Sequence, residues 1–187
     1  MTVPSLRRLR LSNALRRFGA NRKGSAAVQF ALVAPLFFAL IFAIVEVALV
    51  FFANQILETG TQDTARLLFT HQAQDQNLTG EQVRTNLCSR VSVLLACDGV
   101  ILDVRSYPAG QPFTVPPFFD GGGNPISSNF LYQPPDPNSS NIVVVRAFYK
   151  WPLIFTNLGF SLINIGTDKR LLTSTVAFRV EPSSSSS

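Results

Sequence analysis

Residues 25–53 read SAAVQFALVAPLFFALIFAIVEVALVFFA, and only Gln29 and Glu46 in that stretch are strongly polar. Hydrocarbon offers no water to pair with backbone groups, so a segment this long and apolar is stable there as a helix that closes its own hydrogen bonds. Directly upstream, residues 1–24 hold Arg7, Arg8, Arg10, Arg16, Arg17, Arg22 and Lys23 and no acidic residue. Lysine and arginine beside a spanning segment stay on the cytoplasmic side. The expected topology is therefore single-pass, with the N-terminus inside and everything after Ala53 outside. A cleaved secretion signal fits poorly, because the apolar core is too long and bulky Phe51 would stand at −3 from a cut after Ala53.

This reading divides the chain into a basic cytoplasmic leader (1–24), a transmembrane helix (25–53), an outer domain (54–182) and a disordered serine tail (183–187). The formal net charge of +5 is unevenly placed: the leader carries +7, and the remainder, with nine basic and eleven acidic residues, carries −2. A basic chain often implies nucleic acid, but here the charge sits beside the membrane, where it orients the helix and meets anionic lipid. The outer domain has no basic patch, so no nucleic-acid partner is expected.

Working outward, the helical pattern continues past the membrane through Asn54–Gln76, with Ile56, Leu57, Leu67 and Leu68 apolar and Gly60 as a weak point. Thr79 and Gln82 have capping-box spacing. Val83, Leu87, Val91, Leu94 and Leu95 then share one face of an amphipathic helix expected to end near Cys97-Asp98-Gly99, with Gly99 in the left-handed conformation that closes helices. Three strands are expected over Val100–Tyr107, Asn141–Trp151 and Arg170–Val180. In the first, Leu102 and Val104 take one side and Asp103 and Arg105 the other. Strands after helices imply an α+β domain with a small antiparallel sheet. Proline-rich Pro108–Ser140, with its Gly121-Gly122-Gly123 run, is expected to be a long irregular loop. Pro152–Thr167 is unusually apolar for a connection; it either covers the sheet or lies on a surface or partner.

The chain's two cysteines, Cys88 and Cys97, both fall in the outer part. Outside a bacterial cytoplasmic membrane they are expected to form a disulfide, two buried thiols being the alternative. Signals for chemistry are weak. His71 is the one histidine and lies in a polar stretch, and two cysteines with one distant histidine do not make a zinc site. There is no GxSxG, Walker loop or HExxH, so neither cofactor, metal nor small-molecule substrate is expected.

The most specific signal is the junction Arg22-Lys23-Gly24-Ser25-Ala26-Ala27-Val28-Gln29-Phe30: a charged leader ending in glycine, an immediate apolar helix, and Phe at the sixth position. It resembles the site at which a membrane peptidase cuts type IV prepilins and pseudopilins, here between Gly24 and Ser25. Further along, Ala31-Leu32-Val33-Ala34-Pro35-Leu36, Glu46, Thr64-Ala65-Arg66, the cysteines, Tyr149-Lys150-Trp151-Pro152 and Lys169-Arg170-Leu171-Leu172-Thr173 resemble the TadE-like family, from about Arg16 to Pro182. Members of that family are minor pilin-like proteins of tight-adherence (Tad/Flp) pilus systems.

The resemblance implies a non-enzymatic pilus-assembly component in the bacterial inner membrane with a periplasmic domain and a pilin-like α+β fold. Its partners would be other minor pilins, inner-membrane assembly proteins and the prepilin peptidase. Gly24 and Ser25 would be the processing site, and Gln29, Phe30, Pro35 and Glu46 the helix-packing positions. One departure matters: prepilins usually carry glutamate at the fifth position after the cut, understood to pair with the free amine of a neighbouring subunit, and this chain has Gln29. Glu46 lies twenty-one positions after Ser25, about 32 Å of helix at 1.5 Å per residue, which predicts an interfacial side chain in reach of water or in a helix–helix contact. The alternative function is an uncleaved, single-pass anchored scaffold or sensor domain with no filament role.

Overall fold

A computed structural model describes residues 24–70, 72–120, 124, 126, 131–134, 136, 140–154 and 161–180. The basic leader before Gly24, His71, Gly121–Gly123, residues 155–160 of the apolar run and the serine tail fall outside these residues. The chain divides into two compact units at Ala43/Ile44.

Helix α1 spans Ser25–Phe69, 45 residues with Pro35 inside it. In the first unit the described part is this helix alone. None of that part's residues is buried, and Val28, Phe30, Leu32, Leu36, Phe37 and Leu40 are exposed. Among the described residues it is the one helix long and apolar enough to cross a membrane, which points to a single-pass anchor.

In the second unit the same helix acquires sides. Glu46, Val50, Ala53, Leu57, Gly60, Thr61, Thr64, Ala65 and Leu68 are buried at intervals of three, four and one, which makes one stripe. Small and hydroxylic residues fill its outer part, and the buried threonines satisfy themselves within the helix. Thr61 Oγ1 donates to the Leu57 carbonyl at 2.6 Å and Thr64 Oγ1 to the Gly60 carbonyl at 2.8 Å. Gly60 has a packing reason rather than being a flaw. A Cβ there would stand 2.6 Å from Val91 Cγ1 and 3.1 Å from Leu87 Cδ1. The helix stops at Phe69, short of the expected Gln76. A one-turn helix α2 follows (Gln72–Asp75), and Asn77 turns the chain at φ 51°.

Helix α3 (Gly80–Val91) begins with the expected capping box. Gln82 N donates to Thr79 Oγ1, and Thr79 N donates to Gln82 Oε1 at 2.8 Å. It buries Val83, Leu87, Cys88 and Val91. Gly99 does not close it: the helix ends at Ser92 in right-handed geometry, and Gly99 lies in a separate 3₁₀ turn, Cys97–Gly99. What makes Gly99 a glycine is proximity, since a Cβ there would meet the Tyr149 ring at 2.8 Å.

The strands are β1 (Ile101–Tyr107), β2 (Ile142–Pro152) and β3 (Lys169–Arg179), joined antiparallel in the order β1-β2-β3. Register pairs Val104 with Val145 and Val145 with Val176. The face bearing Val104, Val143, Val145 and Ala147 packs on the helices in two clusters. One gathers Val50, Ala53, Leu57, Leu87, Val91 and Leu95, the other Ala65, Leu68 and Val83. The fold is thus α+β with a small antiparallel sheet, as expected.

The opposite face, which carries Asp103 and Arg105, is covered as well. Asp103 is fully buried and accepts from Arg146 Nη2 (2.6 Å), Arg146 Nε (3.0 Å), Arg105 Nε (3.1 Å) and the Leu131 N–H (3.0 Å). Arg146 also donates to the Pro116 carbonyl at 2.8 Å, and Phe118 stacks on Phe148 at 3.9 Å. The long loop therefore forms a second cover, tied by a buried charge whose acceptor sites are filled by charged and backbone donors. The loop also blunts the open edge of β1, because Val104 exchanges backbone bonds of 2.8 Å with Leu131 and Gln133.

Candidate functional site

Gly24 stands at the head of α1 in open space, with nothing within 4 Å of where a Cβ would be. Ser25, Gln29 and Phe30 are exposed on the first turns. Positions 25 and 29 are one helical turn apart, so a free amine on Ser25 would lie over the Gln29 side chain on the same face. Gln29 offers such an amine a carbonyl oxygen and no charge. Pro35 sits two turns further, within the continuous helix. These positions are spread around an uncovered helix rather than gathered in a pocket, and nothing in their arrangement performs bond chemistry by itself.

Glu46 is elsewhere and differently placed. It is 4% exposed, and its Oε1 accepts the Ile154 N–H at 2.6 Å. The expectation that it reaches water is thus corrected. Its bond runs to main chain at the end of β2, because the sheet returns to the level at which α1 first becomes buried. No sequence signal pairs a carboxylate with a backbone group 108 positions away.

Cys88 and Cys97 form a disulfide with their Cα atoms 5.3 Å apart. It closes a short ring from the last turn of α3 to the 3₁₀ turn. Arg84 fastens the same corner, donating to the Cys97 carbonyl at 3.0 Å while gripping Glu81 at 2.6 Å. That grip holds the Glu81 carboxyl below its ordinary range and raises the Arg84 guanidinium. Burial pushes the Tyr132 phenol up; its hydroxyl donates to the Leu78 carbonyl at 3.2 Å.

Within the second unit Glu46 and the cysteines sit apart, Glu46 at the end of β2 and the Cys88–Cys97 pair between α3 and the 3₁₀ turn. Sequence reasoning also missed Arg146 and the buried role of Asp103, the most heavily bonded side chain of the sheet. Among the described residues no group of three or more His, Cys, Asp or Glu could hold a metal ion.

Comparison with known proteins gives one result. The family model for TadE-like protein matches residues 24–66. The match begins at the glycine of the junction and runs along α1 to Arg66, in agreement with the resemblance read from the sequence; the cysteines and the strands lie beyond it. It points to involvement in Tad pilus systems. No curated protein and no solved structure matches the chain.

Proposed function

We propose that this chain is a non-enzymatic minor pseudopilin of a Tad/Flp-type pilus, anchored in the bacterial inner membrane with residues 1–24 cytoplasmic and residues 54–182 periplasmic. The carrying observation is the open glycine at the head of a bare apolar helix. A peptidase that approaches main chain at the membrane surface needs an unobstructed residue there, and the helix it releases must then pack in lipid or against other helices. The match over 24–66 and the seven basic residues ahead of it support the same reading. Its partners are the prepilin peptidase, companion minor pilins, inner-membrane assembly proteins and the lipid bilayer.

Gln29 shapes the role. In low dielectric an unpaired ammonium is costly, and a repeating subunit needs that charge met at every interface. A subunit with Gln29 serves at low copy, starting or supporting a filament built from another pilin. Deletion is then expected to cut piliation sharply although the protein is scarce in sheared filaments.

Processing is the direct test. N-terminal sequencing of membrane-extracted protein is expected to begin at Ser25, and Gly24→Arg is expected to leave a precursor heavier by the 24-residue leader. A start at Met1 in the wild type would favour the uncleaved anchored domain instead.

A further inference from the structure

Glu46 is the first buried residue of α1, and what it holds is main chain from the end of the sheet. At 1.5 Å per residue, about 20 residues after Ser25 cover the roughly 30 Å of hydrocarbon in a bilayer, so the helix leaves it near Ile44. Glu46 thus falls in the outer interfacial layer. There a backbone N–H without a partner is expensive, and a carboxylate oxygen at 2.6 Å is a strong acceptor for it.

The group so positioned carries an unusual side chain. Leu153 turns into the core cluster with Val50 and Ala53, but Ile154 beside it is 74% exposed. The neighbouring residues have the composition of a membrane–water boundary. Trp151 packs at the edge of the same cluster and pairs with Arg170; exposed Lys169 opens β3 opposite Pro152; and Phe51 and Phe52 on α1 are exposed as well. Aromatic rings and snorkelling cations collect at that boundary because each presents an apolar body and a polar or charged tip.

We propose that this end of the outer domain is seated on the lipid surface: Glu46 holds the Ile154 main chain in the interfacial layer, the Ile154 side chain enters the outer leaflet, and Lys169 meets headgroup phosphates. The inference rests on the membrane-spanning helix of the proposed function and not on processing at Gly24. It gives the domain two points of attachment to the bilayer in place of one.

The chain's single tryptophan, Trp151, reports on the site directly. In full-length protein reconstituted in phospholipid vesicles, its fluorescence is expected to be quenched about twofold more by lipid brominated just below the headgroup than by lipid brominated at the chain ends, as for a group 5–10 Å into the boundary. Ile154→Asp, at a position already exposed, should abolish that difference while the Cys88–Cys97 pair stays resistant to alkylation. Glu46→Ala, which removes the acceptor, should act in the same direction, and Glu46→Gln, which keeps an acceptor oxygen, should act less. A nitroxide on Ile154→Cys supplies a second depth reading. The proposal is overturned if Trp151 is indifferent to both lipids and open to aqueous iodide, which would mean a domain standing clear of the bilayer. It is equally overturned if Trp151 is shielded from lipid and iodide alike, which would mean a protein neighbour in that place. Quenching with an N-terminus at Met1 would uphold this inference and remove the pilin reading.

Discussion

From Ser25 to Val45 the protein buries no residue of α1, whereas from Glu46 to Leu68 it buries nine. Both halves are helix of similar propensity, and both contain leucine, valine and alanine. The difference lies in what surrounds them. The first half has no charge and no preferred side, as suits a helix meeting an apolar solvent all round. The second half carries Glu58, Asp63 and Arg66 and presents one stripe to the core, so it meets water on one side and protein on the other. One continuous helix thus changes character along its length, and the change falls near one bilayer thickness from Ser25.

Leucine-to-alanine substitutions in the two halves should break this comparison if it is wrong. Leu57 has 0% exposure, and Leu57→Ala is expected to cost the outer domain about 2–5 kcal/mol, by lost burial and the cavity left behind. Leu32 is 75% exposed, and Leu32→Ala should leave that stability within about 0.5 kcal/mol of wild type. Denaturant titration of the full chain in detergent, followed by Trp151 fluorescence, measures both; equal losses would refute the division.

A charge in the bare half comes next. Leu36→Arg places a guanidinium near the centre of the span, where insertion scales assign a cost of about 2.5–3.5 kcal/mol. Carbonate extraction of membranes should shift the variant toward the soluble fraction. The same change at exposed Gln62, beyond the bilayer, should not.

The two glycines sharpen the contrast further. Gly60→Ala would gain about 1 kcal/mol of helix propensity but must displace Val91 and Leu87, an overpacking cost of about 1–3 kcal/mol. A net loss of domain stability is expected, read as a lower denaturation midpoint. Gly24→Ala meets no atom within 4 Å and should leave that midpoint unchanged.

The smallest effect is a pH response confined to the outer domain. Because burial raises the Tyr132 phenol, the unfolded chain releases that proton first as pH rises. Stability from this group is therefore full below the ordinary phenol range and falls above it. Tyr132→Phe should flatten the alkaline limb of a stability–pH curve, at the cost of its hydrogen bond to the Leu78 carbonyl. An unchanged limb would assign the response elsewhere.

Much of the architecture was legible because its signals are local. The capping box at Thr79 and Gln82 spans four residues and forms as expected. The strands announce themselves by β-branched runs, and β2, with Ile142-Val143-Val144-Val145, begins within one residue of the expected start. Where the sequence misled, the deciding neighbour was remote. Gly99 looked like a helix terminator, whereas it lies against the Tyr149 ring, and nothing in the order of residues around Asp103 announced that Arg146 and the Leu131 N–H would meet it inside a covered face.

The candidate site divides in the same way. The junction at Gly24–Ser25, the bare helix with Gln29 and Pro35, and the flanking charge are properties of consecutive residues in a uniform solvent, so composition and order alone determined them. Glu46 belongs to both descriptions. The sequence put a carboxylate about 32 Å along the helix, close to one bilayer thickness from Ser25. Only the tertiary structure decided that Glu46 would be buried under the end of β2 with the Ile154 N–H on its oxygen. That contact depends on sheet register and on the path of the chain between, and a hydrogen bond closed across such a separation leaves no periodicity for a linear reading to detect.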